Sequence, residues 1–319
     1  MTHNEEEGEE SIPYLASSVV VLSETVKLST CLFIVYWKGE LSSLFTLFTS
    51  GWKDTLKLAV PAGLYAIQNN LVFFALANLE AAIFQVTSQL KVLTTALFAV
   101  LLLNKKLSKI QWLSLISLAI GVSLVQLSGY SQHQQSALQP HHHHEEEEEE
   151  HDQTTQNPVL GLIAVLCLCC TSGGAGIYFE KILKSSKSTS LWCRNIQLGT
   201  FGLLFSLLVM VINDRVELQT HGFFVGYNGT VIASCLLQAF GGLITALVVK
   251  YADNILKAFA TSVSVVLSSV ISMYLFDFQI SSYFFAGASL VLYSSSIYSN
   301  FPYIQTTPIL PTKNEQTNL

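Results

Sequence analysis

Gln85-Val-Thr-Ser-Gln-Leu-Lys91-Val-Leu-Thr-Thr95 is the stretch from which the rest of the chain is read. It lies inside an apolar run from Ala81 to Leu103, long enough to cross a bilayer as a helix. Lys91 falls near the middle of that run. A charge at such depth costs at least ~2.5–3.5 kcal/mol, so it is tolerated where it faces a bundle interior or a watery hollow. Gln85, Ser88, Gln89 and Thr95 stand near it at spacings of mostly three or four, which gather much of the polar set on one side of a helix. That arrangement describes the wall of a site, not a face for lipid.

The same device returns further along the chain. Leu90-Lys91-x-x-x-Thr95 recurs as Leu256-Lys257-x-x-x-Thr261, and Gly121-Val-Ser-Leu-Val125 recurs as Gly287-Ala-Ser-Leu-Val291, all at one offset of 166 residues. A single offset shared by separate motifs indicates an internal duplication. Each half then brings one cation to a common interface, the construction of many secondary transporters.

Composition sets the class. Half of the 319 residues are hydrophobic and 12% are charged, and mean hydropathy is positive, a combination foreign to soluble domains of this size. The net charge of −6 comes largely from acidic tracts at residues 5–10 and 145–152, so it indicates no particular partner and no nucleic acid. Cys31, Cys167, Cys169, Cys170, Cys193 and Cys235 lie in or beside apolar segments, a distribution that suits packing and gives neither a disulfide framework nor a metal site.

Nine apolar segments are predicted as transmembrane helices, at about 14–37, 55–77, 81–103, 111–128, 158–178, 193–213, 229–250, 255–276 and 279–300. Their continuous apolar character excludes the alternation of a membrane barrel. The expected fold is therefore an all-α polytopic membrane protein. Its expected organisation is a disordered acidic tail (1–13), a first repeat of four helices (14–128), a His/Glu-rich lumenal linker (129–157), a second repeat of five helices (158–300) and a cytosolic tail (301–319). The offset leaves segment 158–178 without a counterpart in the first half, so the expectation is a ten-helix architecture lacking its first helix. A truncated reading frame or splice form is the favoured explanation, and a working nine-helix variant the alternative.

Charge gives the topology. Lys38, Lys53, Lys57, Lys105, Lys106, Lys109, Lys181, Lys184, Lys187, Arg194, Lys250, Lys257 and Lys313 fall on one side of alternating spans, and the opposite loops carry only Arg215. The positive-inside rule makes the lysine-rich side, and with it the C-terminus, cytosolic.

Other polar residues inside the spans are candidates for the site. Glu24 and Lys27, one turn apart, read as a structural ion pair. Tyr65, Gln68, Asn69 and Asn70 form a polar patch on one helix, and Asn195 and Gln197 form another; helix-to-helix hydrogen bonds and ligand contact are both open to them. Asp253 and Asn254 can cap the helix that carries Lys257. Two ammonium groups opposed across a pseudo-symmetric hollow suit an anionic solute, with phosphate the natural partner. No cofactor or metal is called for, and a monotonous acidic run offers no acid-base chemistry, so the chain does not read as an enzyme.

Gly63-Leu-Tyr-Ala-Ile-Gln-Asn-Asn70, Gln85-Val-Thr-Ser-Gln-Leu-Lys91, Gly176-Ile-Tyr-Phe-Glu-Lys-Ile-Leu183, Trp192-Cys-Arg-Asn-Ile-Gln197 and Lys250-Tyr-Ala-Asp-Asn-Ile-Leu-Lys257 resemble, in order, the Golgi nucleotide-sugar transporters of the UDP-galactose, UDP-N-acetylglucosamine and CMP-sialic acid group. The resemblance runs from about Tyr14 to Ser299. It implies the drug/metabolite transporter fold, a multi-pass Golgi membrane location, and antiport of a nucleotide sugar against a nucleoside monophosphate. It also implies that Lys91 and Lys257 bind phosphate, that Tyr65 and Asn69 contact the nucleotide and that Asn195 lines the pocket. Gln68, Gln85, Ser88 and Asn254 are further substrate-binding candidates from their own polar character, Ser88 standing where the CMP-sialic acid carriers have a tyrosine. Gly199 stands where the UDP-sugar branches have glycine, which points to UDP-galactose or UDP-N-acetylglucosamine exchanged for UMP. A CMP-sialic acid carrier and a transport-dead nine-helix partner of a full-length carrier are the alternatives, and both a homo- and a hetero-oligomer are open to the chain.

Overall fold

The structure, a computed structural model, describes residues 14–137, 157–185, 189–276 and 281–300. The acidic tail, most of the His/Glu-rich linker and the C-terminal tail lie outside these residues. Helices are the only regular elements among them: α1 (Ala16–Trp37), α2 (Leu41–Thr49), α3 (Trp52–Leu56), α4 (Ala59–Asn78), α5 (Ala81–Ser88), α6 (Leu90–Leu103), α7 (Lys109–Ala137), α8 (Pro158–Ser185), α9 (Leu191–Asn213), α10 (Arg215–His221), α11 (Gly229–Tyr251), α12 (Asn254–Phe276) and α13 (Ser282–Asn300).

Eight stretches of helix among the described residues are long and apolar enough to cross a membrane. They coincide with eight of the nine predicted spans. The ninth coincides with α13, whose 19 residues are long enough. Its run of serines, Ser294 to Ser296 among them, makes it less apolar than the others. The protein is thus an all-α, multi-pass membrane protein.

Local chemistry explains the helix ends. α1 stops at Gly39, where φ of +67° lets the chain turn back and the Glu40 N–H reach the Val35 carbonyl at 3.0 Å. Pro61 sits in the first turn of α4, where a missing N–H leaves no helical bond unmade. The expected single span 81–103 is broken into α5 and α6 at Gln89. There Ser88 Oγ donates to the Gln85 carbonyl at 2.9 Å, and the Gln89 N–H turns to Val86, three residues back, at 3.2 Å. This tighter turn interrupts the regular ladder. Meanwhile the Gln89 side chain crosses to α7, donating to Gln126 Oε1 at 2.8 Å. α7 itself runs to Ala137, nine residues beyond the predicted end at 128, through a Gln- and Ser-containing segment that the apolar pattern alone could not claim.

The chain divides into two compact units. The first takes the residues up to Ile67 together with Ile182–Tyr251; the second takes Gln68–Lys181 and the residues from Ala252. Within the first, α1 packs on α9 and α11. Apolar surface gains little by leaving lipid for another helix, so close approach by small residues has to supply the contact. Gly199 and Gly202 provide it: a Cβ at Gly199 would meet Leu28 Cγ at 3.1 Å, and one at Gly202 would meet Glu24 Oε2 at 3.0 Å.

In the second unit α7 and α13 run antiparallel, with the Ser128 and Ser281 hydroxyls 2.6 Å apart at one end. Their backbones touch at Gly121 and Gly287. A Cβ at Gly121 would lie 3.0 Å from the Gly287 carbonyl oxygen and 3.0 Å from Val291 Cγ2. The reciprocal Cβ at Gly287 would lie 2.6 Å from the Gly121 oxygen and 2.9 Å from Val125 Cγ2. Both contacts are therefore made by residues related through the 166-residue offset. A core of Val92, Leu115, Leu118, Val122, Ile177, Ile255, Phe259 and Val291 fills the space between α6, α7, α8, α12 and α13.

Candidate functional site

Lys91 and Lys257 fall in the same unit, on helices that pack together. Because of the break at Gln89, Lys91 is the second residue of α6; Lys257 is the fourth of α12. Both thus occupy the first turn of a helix. The Lys91 side chain is exposed and that of Lys257 half-buried, and the helices that carry them pack together. Among the described residues neither forms an ion pair, whereas Lys27, Lys57 and Lys105 each have a carboxylate partner. Two neighbouring cations without counter-charge repel, and the first turn of a helix adds a partial positive charge of its own. An anion placed between them relieves both.

Around the lysines the structure sorts the other candidates. Ser88 is buried, its hydroxyl spent on the Gln85 carbonyl. Gln85 is half-buried and Asn69 exposed. Gln68 carries a buried Oε1 with no hydrogen-bond partner, an acceptor left open inside the protein. Asn254 is buried and directs its amide hydrogens to the Gly176 carbonyl at 2.7 Å and to Glu180 Oε2 at 3.0 Å. Its donors are committed to holding α12 against α8.

Tyr65, Asn195, Glu24 and Lys27 belong to the first unit. Asn195 is buried and donates to the Leu191 carbonyl at 3.1 Å. Beside it, buried Arg194 donates to Gln197 Oε1 at 3.0 Å, and Gln197 passes the chain on to the Thr55 hydroxyl. Glu24 and Lys27 form the expected ion pair at 2.6 Å, mostly enclosed, with Glu24 Oε2 left unpartnered. Gly199 has a packing reason of its own, the close passage of Leu28.

Sequence reasoning missed one group. Lys105, Glu180 and Asp253 form a buried ion cluster in the second unit. Lys105 read as a loop lysine and Glu180 as part of a motif. The available signal was Asn104, a left-handed helix stop at φ of 53° that turns the following lysine back.

These helices define a class: a multi-pass helical membrane protein with two lysines, on packed helices of one unit, that form no ion pair among the described residues. A family model described as nucleotide-sugar transporter matches residues 1–299. The chain belongs to the nucleotide-sugar transporter family. It is 47% identical over 302 residues to the rat UDP-N-acetylglucosamine transporter, covering 92% of this chain and 88% of the relative. It is 46% identical over 319 residues to a Caenorhabditis elegans UDP-N-acetylglucosamine/UDP-N-acetylgalactosamine transporter, 97% of this chain and 90% of that one. The human UDP-galactose translocator is 46% identical over 292 residues, 90% of this chain and 69% of its own length. The relatives are carriers, in keeping with a protein that is not an enzyme.

Proposed function

We propose that the protein carries a UDP-sugar, UDP-N-acetylglucosamine or UDP-galactose, into the Golgi lumen in exchange for UMP, with the diphosphate or monophosphate held between Lys91 and Lys257. The observation that carries this reading is the pair of lysines on the packed helices α6 and α12, without carboxylate partners among the described residues and supplied by equivalent positions of a duplicated sequence. The likeness to UDP-sugar carriers along nearly the whole chain supports the choice of nucleotide. The mutual contacts of Gly121 and Gly287 support the division into two repeats. Exchange follows from electrostatics: with the anion bound, lysine repulsion is offset and the carrier can change conformation, whereas the empty carrier retains two uncompensated charges and returns slowly.

The orientation reading draws support from the meeting of the α6 end, the α8 end and the α12 start through Lys105, Glu180 and Asp253. This gathers a lysine-rich end of the molecule, cytosolic by the positive-inside rule, and supports the reading that the C-terminus is cytosolic. The test is uptake of labelled UDP-sugar into proteoliposomes preloaded with UMP. Stimulation by internal UMP is expected for the wild type and its loss for Lys91→Ala and Lys257→Ala. Uptake indifferent to internal UMP overturns the exchange, and near-normal exchange in either variant overturns the site.

A further inference from the structure

The lysines of the proposed site do not hold their own positions. Lys257 stands in the first turn of α12, and that turn is fastened by charges from elsewhere in the same unit. Lys105 Nζ, just beyond α6, donates to Glu180 Oε1 of α8 at 3.1 Å and to Asp253 Oδ2 at 3.0 Å. The Glu180 side chain is fully enclosed. The other oxygen of each carboxylate is turned onto α12. Glu180 Oε2 accepts from the Asn254 backbone N–H at 2.9 Å and from its side-chain amide at 3.0 Å, and Asp253 Oδ1 accepts from the Leu256 N–H at 2.7 Å. Asn254 is further tied to the Gly176 carbonyl at 2.7 Å. Gly176 lacks the side chain that would intrude, since a Cβ there would stand 3.2 Å from Asn254 Oδ1.

Three desolvated charges are a costly way to join helices that apolar side chains could join as well. What they add is direction, because hydrogen-bonded charges fix register and rotation where apolar contacts permit slippage. A helix turns by roughly 100° per residue, so slippage by a single position would swing Lys257 away from Lys91. We propose that Lys105, Glu180 and Asp253 are positioning residues of the carrier: acting through Asn254 and the first turn of α12, they set where the Lys257 ammonium stands relative to Lys91. The proposal rests on the reading of those two lysines as the anion site.

The experiment uses full-length carrier in proteoliposomes with UDP-N-acetylglucosamine as the probe. Lys105→Met keeps the stem and removes the charge. Asp253→Asn keeps the helix cap and weakens the bond to Lys105. Each is expected to raise KM about tenfold while the maximal rate per folded carrier changes less than about threefold, and Lys105→Arg is expected to restore wild-type KM. A wild-type KM in folded Lys105→Met and Asp253→Asn overturns the proposal; if Lys105→Met does not fold, Asp253→Asn decides. Should the wild type carry no UDP-sugar, the reading of the lysines fails separately. The cluster is then judged by hydrogen exchange: amides of residues 254–260 are expected to exchange at least about fivefold faster in Asp253→Asn, and unchanged exchange overturns the positioning role.

Discussion

Replacing Gly287 by alanine tests the packing on which the second unit depends. The added Cβ would stand 2.6 Å from the Gly121 carbonyl oxygen and 2.9 Å from the Val125 nitrogen and Cγ2. Ordinary contact begins near 3.4 Å. Two of the three opposing atoms are backbone, so no rotamer change relieves the clash, and α7 and α13 must part by about 0.8 Å at their closest point. Overpacking of this kind costs about 1–3 kcal/mol. Alanine returns up to ~1 kcal/mol in helix propensity. The net expectation is a loss of up to about 2 kcal/mol, seen as a Tm lowered by up to ~3 °C in detergent. Gly241→Ala is the matched control, because nothing lies within 4 Å of the added Cβ. It should be neutral or slightly stabilising. Gly121→Ala, with its nearest contact at 3.0 Å, should fall between them. Thermal unfolding of the three purified variants gives the answer, and equal Tm values for Gly287→Ala and Gly241→Ala would refute the argument.

Three further outcomes are expected. Lys27→Met strands the Glu24 carboxylate among the helices and should destabilise by about 3–5 kcal/mol, whereas Glu24→Gln with Lys27→Met should recover most of the loss; a double-mutant cycle on unfolding checks this. Asn254→Ala leaves the Gly176 carbonyl and Glu180 short of a donor, for a loss of about 1–3 kcal/mol readable as a lower Tm. Gly199→Phe should drive α1 from α9 through Leu28, lowering the yield of folded carrier rather than changing which nucleotide competes for uptake; a folded variant with altered nucleotide preference would instead put residue 199 in the site.

The membrane class was legible in the sequence because lipid imposes a constraint that every span must meet separately: about twenty apolar residues with their backbone bonds closed within the helix. The proposal of an internal duplication came from Lys91 and Lys257, Gly121 and Gly287, and Val125 and Val291, which keep one offset. Lys91 could be singled out because a charge in an apolar run is unfavourable enough to need a reason, and Lys257 because it stands in the same local motif. Other features had no such linear signal. The break at Gln89 depends on a glutamine reaching α7, and the commitment of Asn254 to α8 depends on Gly176 lying opposite it.

By itself, then, the sequence determined that the chain is a helical membrane protein and singled out two lysines set in the same local motif, since hydropathy and periodicity are properties of neighbours along the chain. Only the tertiary structure decided which lysines are paired with carboxylates. Lys105 looked as free as Lys91 in the sequence, yet it is bound to Glu180, 75 residues away, and to Asp253, 148 residues away. Ion pairing is fixed by distance in space, and one-dimensional spacing carries no record of that distance once helices from remote parts of the chain pack together.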